Sequence, residues 1–293
     1  MKILHFAAII SALTLVSATP SKKSKVNSPL FSGYQLIPKG EVNLDVKPAE
    51  MDEFYISATE ISNGQYQTFL NYLKQQNRVQ DLNIAMLDTV QWTKMFPSSD
   101  PYVNYYHAHK AYEKFPCVNM SYEGAKLYCA WLKEMLEAAD SRYTYEVKLP
   151  NKNQWIYAAA GGKKNSPYSW DGPYMKNKYG VLCNFKDIGA NSIHFDEATG
   201  KYVVIVKQVF DTDESPKINY NADITAPVLS YMPNGYGLYN VCGNVAEMID
   251  EKGIAMGGGF NSTGYDVRVT SESKYTNPLP TVGFRPVIIL KVK

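Results

Sequence analysis

The sequence predicts a globular fold that mixes a few helices with short strands and long irregular stretches. Three observations predict it. Apolar residues recur at helical spacing in the first half of the chain, and turn residues are frequent after residue 162. In addition, 23 of the 293 residues are Tyr, an amphipathic side chain that suits wet, loop-rich structure. The hydrophobic content of 45% is sufficient for a buried core.

The helices are placed by capping residues and apolar periodicity. The first begins after Ser62, and its buried stripe is expected to be Tyr66, Phe69, Leu70 and Leu73. The second runs from Ser121 to about Asp140, and the third begins at the capping box of Asn151 and ends at Gly161. Strands are expected at residues 52–58, 202–209 and 283–292.

The first 30 residues predict export. Lys2 precedes an apolar run over residues 3–16, and small residues up to Ala18 form a signal-peptidase site. The run is shorter than the roughly 20 residues that a bilayer span needs. We expect residues 1–18 to be a cleaved signal peptide and residues 19–30 a flexible leader. The mature chain would then lie in the periplasm, at the cell surface or outside the cell, with no transmembrane segment.

Charge and cysteine spacing exclude several classes of function. The formal net charge is +2, and no large basic block is present, so we expect no nucleic-acid partner. An even number of cysteines permits two disulfides in three connectivities, which the residues alone leave open. No CxxC pair occurs, which disfavours a zinc ribbon or a thioredoxin-type centre. The cysteines are Cys117, Cys129, Cys183 and Cys242.

Other candidate sites are weak. His107 and His109 form an HxH pair that could bind a metal, but no third ligand is placed nearby, so a loop feature is the preferred interpretation. Asp211, Asp213 and Glu214 could form a hydrolytic carboxylate pair, although a solvated acidic loop is favoured. The sequence contains no nucleophile elbow, P-loop or dinucleotide fingerprint.

Six ordered motifs carry a family resemblance. Residues 233–248 read PNGYGLYNVCGNVAEM, and they are followed by GGGF at 257–260 and VGFRP at 282–286. Upstream stand FYISATEISNGQY (54–66), FPCVNMSYEGAKLYCAWL (115–132) and KLPNKNQWIYAAAGG (148–162). Together they resemble the formylglycine-generating enzyme (sulfatase-modifying factor) family. The resemblance implies one loop-rich α+β domain of the C-type-lectin-like kind over residues 31–293, with bound calcium in many members.

The resemblance also implies which residues hold calcium. One site falls on the side chain of Asn240, the carbonyls of Gly243 and Val245, and the carboxylate of Glu247. These are the oxygen ligands that Ca²⁺ prefers. The alternative is a turn held by Asn and Glu hydrogen bonds without metal.

A second calcium site is implied at Asn184 and the carbonyl of Phe185. Its other half should fall near residues 220–223, where Tyr220 stands in place of the family's Asp. Asn221 or Asp223 could substitute, and a hydrogen-bonded loop is the alternative.

The family's oxidase chemistry is expected to be absent. In the family, two cysteines after the GGSW motif hold Cu(I), because soft thiolates select it. No cysteine follows Cys242 in this sequence, and an ungapped count places Ser262 at the first of those positions. We therefore expect no copper. Pro286 occupies the position of the family's disulfide partner to Cys129, which leaves Cys129 as a free thiol or paired with Cys117.

These expectations combine into a functional hypothesis. The chain is expected to be an exported, non-catalytic family member that binds a protein or a glycan, or serves as a structural component of a cell-envelope assembly. Gliding-motility and type IX secretion lipoproteins of the family are similar. The alternatives are a formylglycine-generating oxidase, other chemistry on the scaffold, or a ligand binder whose variable residues lie at 260–280. The long excursion at 187–216 is a candidate for binding specificity.

Overall fold

The computed structural model describes residues 31–42, 49–96, 100–164, 166–178, 180–187, 193–204 and 224–292. The expected signal peptide and leader, the acidic loop at 211–214 and the segment 220–223 lie outside these ranges. Helices lie mostly in the first half of the chain and short strands throughout, with long irregular stretches between them. No helix among the described residues is both long and apolar enough to cross a bilayer.

The three expected helices are confirmed. In the described ranges the α-helices are α1 (Asn63–Gln75), α2 (Val79–Ala85), α3 (Gln91–Met95), α4 (Asp100–Tyr105), α5 (Tyr122–Ala139) and α6 (Lys152–Ala160). Ser62 and Asn151 both form capping boxes, with Gln65 and Gln154 respectively. α6 ends at Gly161 in the left-handed conformation, as a helix C-terminus favours. The sequence did not predict α2, α3 or α4.

Two four-stranded sheets organise the domain. The first has the order β1 (Tyr34–Ile37), β4 (Phe54–Ser57), β14 (Val287–Val292), β5 (Tyr143–Lys148), and its neighbours are antiparallel. The second has the order β12 (Glu272–Lys274), β11 (Ile254–Met256), β10 (Ala246–Met248), β13 (Val282–Gly283), and β10 pairs with β13 in parallel. The hairpins are β2–β3 (Gly40–Val42, Ala49–Met51), β6–β7 (Lys176–Asn177, Gly180–Val181) and β8–β9 (Ile193–Asp196, Lys201–Val204).

The strand predictions hold in part. The strand expected at 52–58 is β4. The strand expected at 283–292 was wrong in one respect: it is divided between β13 and β14, because Phe284, Arg285 and Pro286 carry the chain from one sheet to the other. Of the strand expected at 202–209, β9 accounts for the residues to Val204 and the rest lies outside the described residues.

The core forms around the helices that the sequence predicted. The stripe of α1 is buried, and Tyr66 stacks on Tyr128 of α5 with ring centres 5.9 Å apart. A second cluster surrounds Trp155 of α6 and includes Cys183 and Cys242. The segment 239–247, which carries predicted metal ligands, contributes to both clusters, since Ala246 belongs to the first and Val241 to the second.

Arg285 joins the two sheets from the inside. Its side chain is completely buried, and its guanidinium makes two hydrogen bonds to the carboxylate of Glu247, at 2.6 and 2.5 Å. It also donates to the carbonyl oxygens of Ser57, Ala58 and Tyr239. A buried charge is stable only when it is paired and fully hydrogen-bonded. Here one guanidinium donates hydrogen bonds to carbonyl groups at the end of β4, to a carbonyl group in the segment before β10, and to the carboxylate on β10.

Replacing Arg285 should therefore be costly. We expect Arg285→Met to lower the free energy of unfolding by about 3–5 kcal/mol, because the substitution leaves the Glu247 carboxylate buried without its partner. Chemical denaturation with calcium removed measures it. The matched control is Lys252→Met, since Lys252 pairs with Glu123 while 67% and 50% of the two side chains are exposed, and exposed pairs contribute about 0–1 kcal/mol. Equal losses in the two variants would show that the buried pair is not special.

The backbone at Gly257, directly after β11, lies close to the carbonyl oxygen of Val241. Its φ is +82°, and a Cβ there would lie 2.6 Å from the carbonyl oxygen of Val241. Gly172 has a φ of +83° with nothing within 4 Å of such a Cβ. We expect Gly172→Ala to lose about 1–2 kcal/mol from backbone strain alone, and Gly257→Ala to lose about 1–3 kcal/mol more from overpacking. Thermal and urea unfolding of the pair measure the difference, and no difference would contradict the crowding.

Candidate metal sites and ligand cavity

The predicted ligands of the first calcium site lie on one tight turn before β10. Asn240, Gly243 and Asn244 have φ values of +53°, +78° and +63°, a region that Gly occupies freely and Asn more readily than other residues. At Gly243 no side chain fits, because a Cβ would lie 2.3 Å from the Asn184 carbonyl oxygen. The turn is therefore specified by residue type, and Glu247 follows it on β10.

The two predicted sites lie against each other. The backbone N–H of Asn244 donates to the carbonyl of Asn184 at 2.8 Å, and the amide of Asn184 donates to Asn244 Oδ1 at 3.2 Å. Asn184 is completely buried and Phe185 beside it is 5% exposed. The third part of the second site, at 220–223, lies outside the described residues.

Asn244 and Glu60 are site residues that the sequence reasoning missed. The side-chain oxygen of Asn244 accepts from Ala226 N at 2.7 Å, and its NH₂ group donates to Glu60 Oε1 at 2.7 Å. Glu60 is completely buried and also accepts from Asn240 Nδ2 at 3.2 Å. Glu60 stands inside the FYISATEISNGQY motif, but its position 180 residues before Asn240 gives no local signal of the contact.

Two carboxyl groups and one cation are buried together at this place. Glu60 and Glu247 are both buried, and Arg285 is the cation paired with Glu247. Burial raises the pKa of Glu60 to about 8, against the lowering effect of Arg285. Trp155 Nε1 donates to Glu247 Oε2 at 2.7 Å, so that oxygen accepts from Trp155 as well as from Arg285. The other oxygen, Oε1, accepts one bond from Arg285 and keeps a lone pair for a further partner.

The predicted Asn ligands each have an unused oxygen. Oδ1 of Asn240 and Oδ1 of Asn184 are buried, and neither accepts a hydrogen bond from any described residue. A buried polar atom without a partner costs free energy unless an ion or a water satisfies it. Both are amide oxygens, the hard donor type that calcium takes, so the residues present fit calcium. Phe185, Gly243 and Val245 contribute only backbone carbonyls to the predicted sets.

Ser262, which the family resemblance places at the first catalytic cysteine position, lines a cavity. Residues between Gly258 and Ser273 line a space of about 520 Å³, here called the 258–273 cavity, and Ser262 is one of them. Ser262 Oγ accepts from Gly259 N at 3.0 Å. The hydroxyl therefore serves the local turn, and no thiol occurs between Gly243 and Lys293.

The HxH pair is not a metal site in this structure. His107 is 8% exposed, and its ring nitrogens lie 2.9 Å from Asn63 Oδ1 and 3.4 Å from Asn119 Nδ2. Burial lowers its pKa to about 3. His109 instead uses Nδ1 to accept from Ala111 N. Within the described ranges, no three His, Cys, Asp or Glu side chains gather as a metal-binding group.

The cysteines are buried thiols. All four are free in the structure, including Cys129 and Cys117 on the first core cluster. Cys183 and Cys242 belong to one cluster, and a disulfide between them was one of the options that the sequence left open. Burial raises the pKa of each of these thiols above its usual value.

Comparison with known proteins places these features in a family. Residues 30–289 match the family described as "Sulfatase-modifying factor enzyme 1-like domain". Formylglycine-generating enzyme of Mus musculus is 26% identical over 218 residues, which is 67% of this chain and 48% of that protein. "Inactive C-alpha-formylglycine-generating enzyme 2" of Bos taurus is 26% identical over 135 residues, covering 46% of this chain and 32% of that protein. The chain thus spans about half or less of the length of these curated relatives.

Solved structures show the same fold. PvdO from Pseudomonas aeruginosa superposes with a TM-score of 0.55 at 16% identity, over 87% of this chain and 93% of that chain. Treponema denticola variable protein 1 superposes with a TM-score of 0.51 at 14% identity, over 87% and 94%. These likenesses confirm the predicted α+β fold. Because the family match extends over residues 30–289, the chain belongs to the sulfatase-modifying factor enzyme 1-like domain family.

Proposed function

We propose that this chain is an exported, calcium-stabilised binding domain without the copper oxidase chemistry of its family. In this role it binds a protein or glycan partner at the cell envelope, or forms part of an envelope or secretion assembly such as those of gliding motility. Export is supported by the signal-peptide pattern of residues 1–18. The partner role is supported by the 258–273 cavity, whose lining carries no catalytic thiol.

The observation that carries the non-catalytic assignment is the hydroxyl at position 262. A hydroxyl cannot replace a thiolate as a ligand of Cu(I), since soft sulfur is what selects that ion. Ser262 is also engaged with the backbone of Gly259. One of the similar curated proteins is itself named as inactive, so loss of this chemistry has precedent among the relatives.

Calcium explains how irregular loops hold one shape. Asn240, the carbonyls of Gly243 and Val245, and Glu247 would hold one ion, and Asn184 with the Phe185 carbonyl would contribute to another. Calcium would supply a positive charge that suits the unused oxygens of Asn240 and Asn184 and favours the ionised form of nearby carboxyl groups. The two segments that contact each other through Asn184 and Asn244 would then be fixed together.

Calcium should stabilise the fold through Asn240. We expect calcium at 100 times its Kd to add about 2.7 kcal/mol, which raises Tm by roughly 5–10 °C for a domain of this size. Asn240→Gly keeps the left-handed backbone but removes the oxygen, and it should abolish most of this shift. Thermal unfolding with calcium and with chelator measures it.

The control for that substitution is Asn77→Gly. Asn77 also has a φ of +53°, and it lies exposed after α1, so this variant removes the same side chain from the same backbone conformation elsewhere. It should keep the full calcium response. If the unmodified protein has the same Tm with calcium and with chelator, calcium is not part of the fold.

The oxidase alternative has a direct test. We expect the purified protein, supplied with Cu(I) and oxygen, to leave a cysteine-containing sulfatase-type peptide at its original mass, because no cysteine follows Cys242 to hold the copper. Mass spectrometry of the peptide measures it, and formylglycine-generating enzyme of Mus musculus serves as the positive control. Conversion of the peptide cysteine to formylglycine by this chain would establish the alternative and refute the non-catalytic assignment.

A further inference from the structure

We propose that the 258–273 cavity binds a neutral glycan, with the ring of Tyr265 as the stacking platform. This inference rests on the proposed binding function and names the ligand class for one site. At about 520 Å³, the cavity lies within the range of roughly 300–1,000 Å³ that is typical of small-ligand sites.

The chemistry of the lining favours a ligand rich in hydroxyls. Apart from Gly258, every lining side chain carries a hydrogen-bonding group, and none is aliphatic. A protein partner would need an apolar centre for its anchor residues, because hot spots lie in desolvated apolar pockets. A sugar instead brings several hydroxyl groups, each of which needs a partner once it leaves water.

Tyr265 supplies the flat surface that one face of a sugar ring requires. The guanidinium of Arg268 lies 3.6 Å from the centre of the Tyr265 ring and so covers one of its faces. The residue is nevertheless 68% exposed, which leaves the other face open. A large aromatic side chain that is this exposed on a folded domain is available for binding.

Charge selects a neutral glycan over an anionic one. The carboxylates of Asp266 and Glu272 line the cavity together with one guanidinium, that of Arg268. Arg268 uses Nε on the carbonyl of Tyr265. Because Lys152 also pairs with Glu272, the two carboxylates and the two cations balance. A sulfate or uronate would find no excess positive charge to compensate for its lost hydration, whereas sugar hydroxyls can donate to the carboxylates.

The loop is held in one shape before any ligand arrives. A Cβ on Gly258 would lie 2.5 Å from the carbonyl oxygen of Asp266, so the backbone at Gly258 packs directly against the backbone at Asp266. Thr263 Oγ1 donates to Asp266 at 2.6 Å, and Tyr168 OH donates to the carbonyl of Gly264 at 2.8 Å. Such preorganisation reduces the entropy that binding must overcome.

The test is a binding screen with the full chain. The probes are immobilised neutral oligosaccharides of hexose and N-acetylhexosamine units, with sulfated and uronate-containing glycans and synthetic peptides as separate arms. We expect binding in the neutral arm, confirmed by titration calorimetry. Tyr265→Ala should weaken it at least 10-fold. Tyr174→Ala should change it less than 2-fold, because Tyr174 is also exposed, at 76%, but does not line the cavity.

Other outcomes overturn the inference. Binding only in the sulfated and uronate arm, only in the peptide arm, or nowhere would refute a neutral glycan, and so would neutral-arm binding that Tyr265→Ala leaves unchanged. Peptide binding that depends on Tyr265 would keep the proposed binding function while removing this ligand class. The Tm of each variant, with its calcium response, is measured beside the screen, so an unfolded variant is recognised as such.

Discussion

The buried ion pair between Arg285 and Glu247 is the constraint on which the rest of the structure depends. Neither side chain is accessible, and a guanidinium out of water requires a partner for each of its donors. The carboxylate and the carbonyls around it supply them. Because those groups belong to different elements, the end of β4, the segment before the Asn turn, and β10 must meet at one point. The GFRP motif is thus a structural requirement of the fold.

The ion pair also controls what the neighbouring turn can bind. Arg285 orients the Glu247 carboxylate from one side and leaves Oε1 with spare capacity, while Asn240 and Asn184 keep buried oxygens that no described residue uses. Amide and carboxylate oxygens of this kind are the ligands that Ca²⁺ prefers. Burial also raises the pKa of Glu60, because it disfavours the charged form of the carboxyl group.

Local signals were readable in the sequence and non-local ones were not. Ser62 and Asn151 predict the starts of α1 and α6, because a capping box involves only the cap residue and the residue three positions later. The helices α2 and α3 follow Arg78 and Val90, which make no side-chain cap, so nothing nearby marks their starts. Resemblance supplied most of the candidate metal ligands. The sequence did not identify Glu60 as a site residue, because its role comes from contacts with residues more than 175 positions away.

Under the proposed function, the family's oxidase chemistry and the ligand site depend on different groups. The family resemblance implies that the chemistry needs thiolates on the loop after the Gly-rich motif, and Ser262 stands at the first position expected for them. The shape of that loop also depends on backbone contacts, such as Gly258 against the Asp266 carbonyl and the Ser262 N–H on the Gly259 carbonyl at 2.9 Å. These contacts do not require a thiol, and function follows the side chains on a scaffold more than the fold itself.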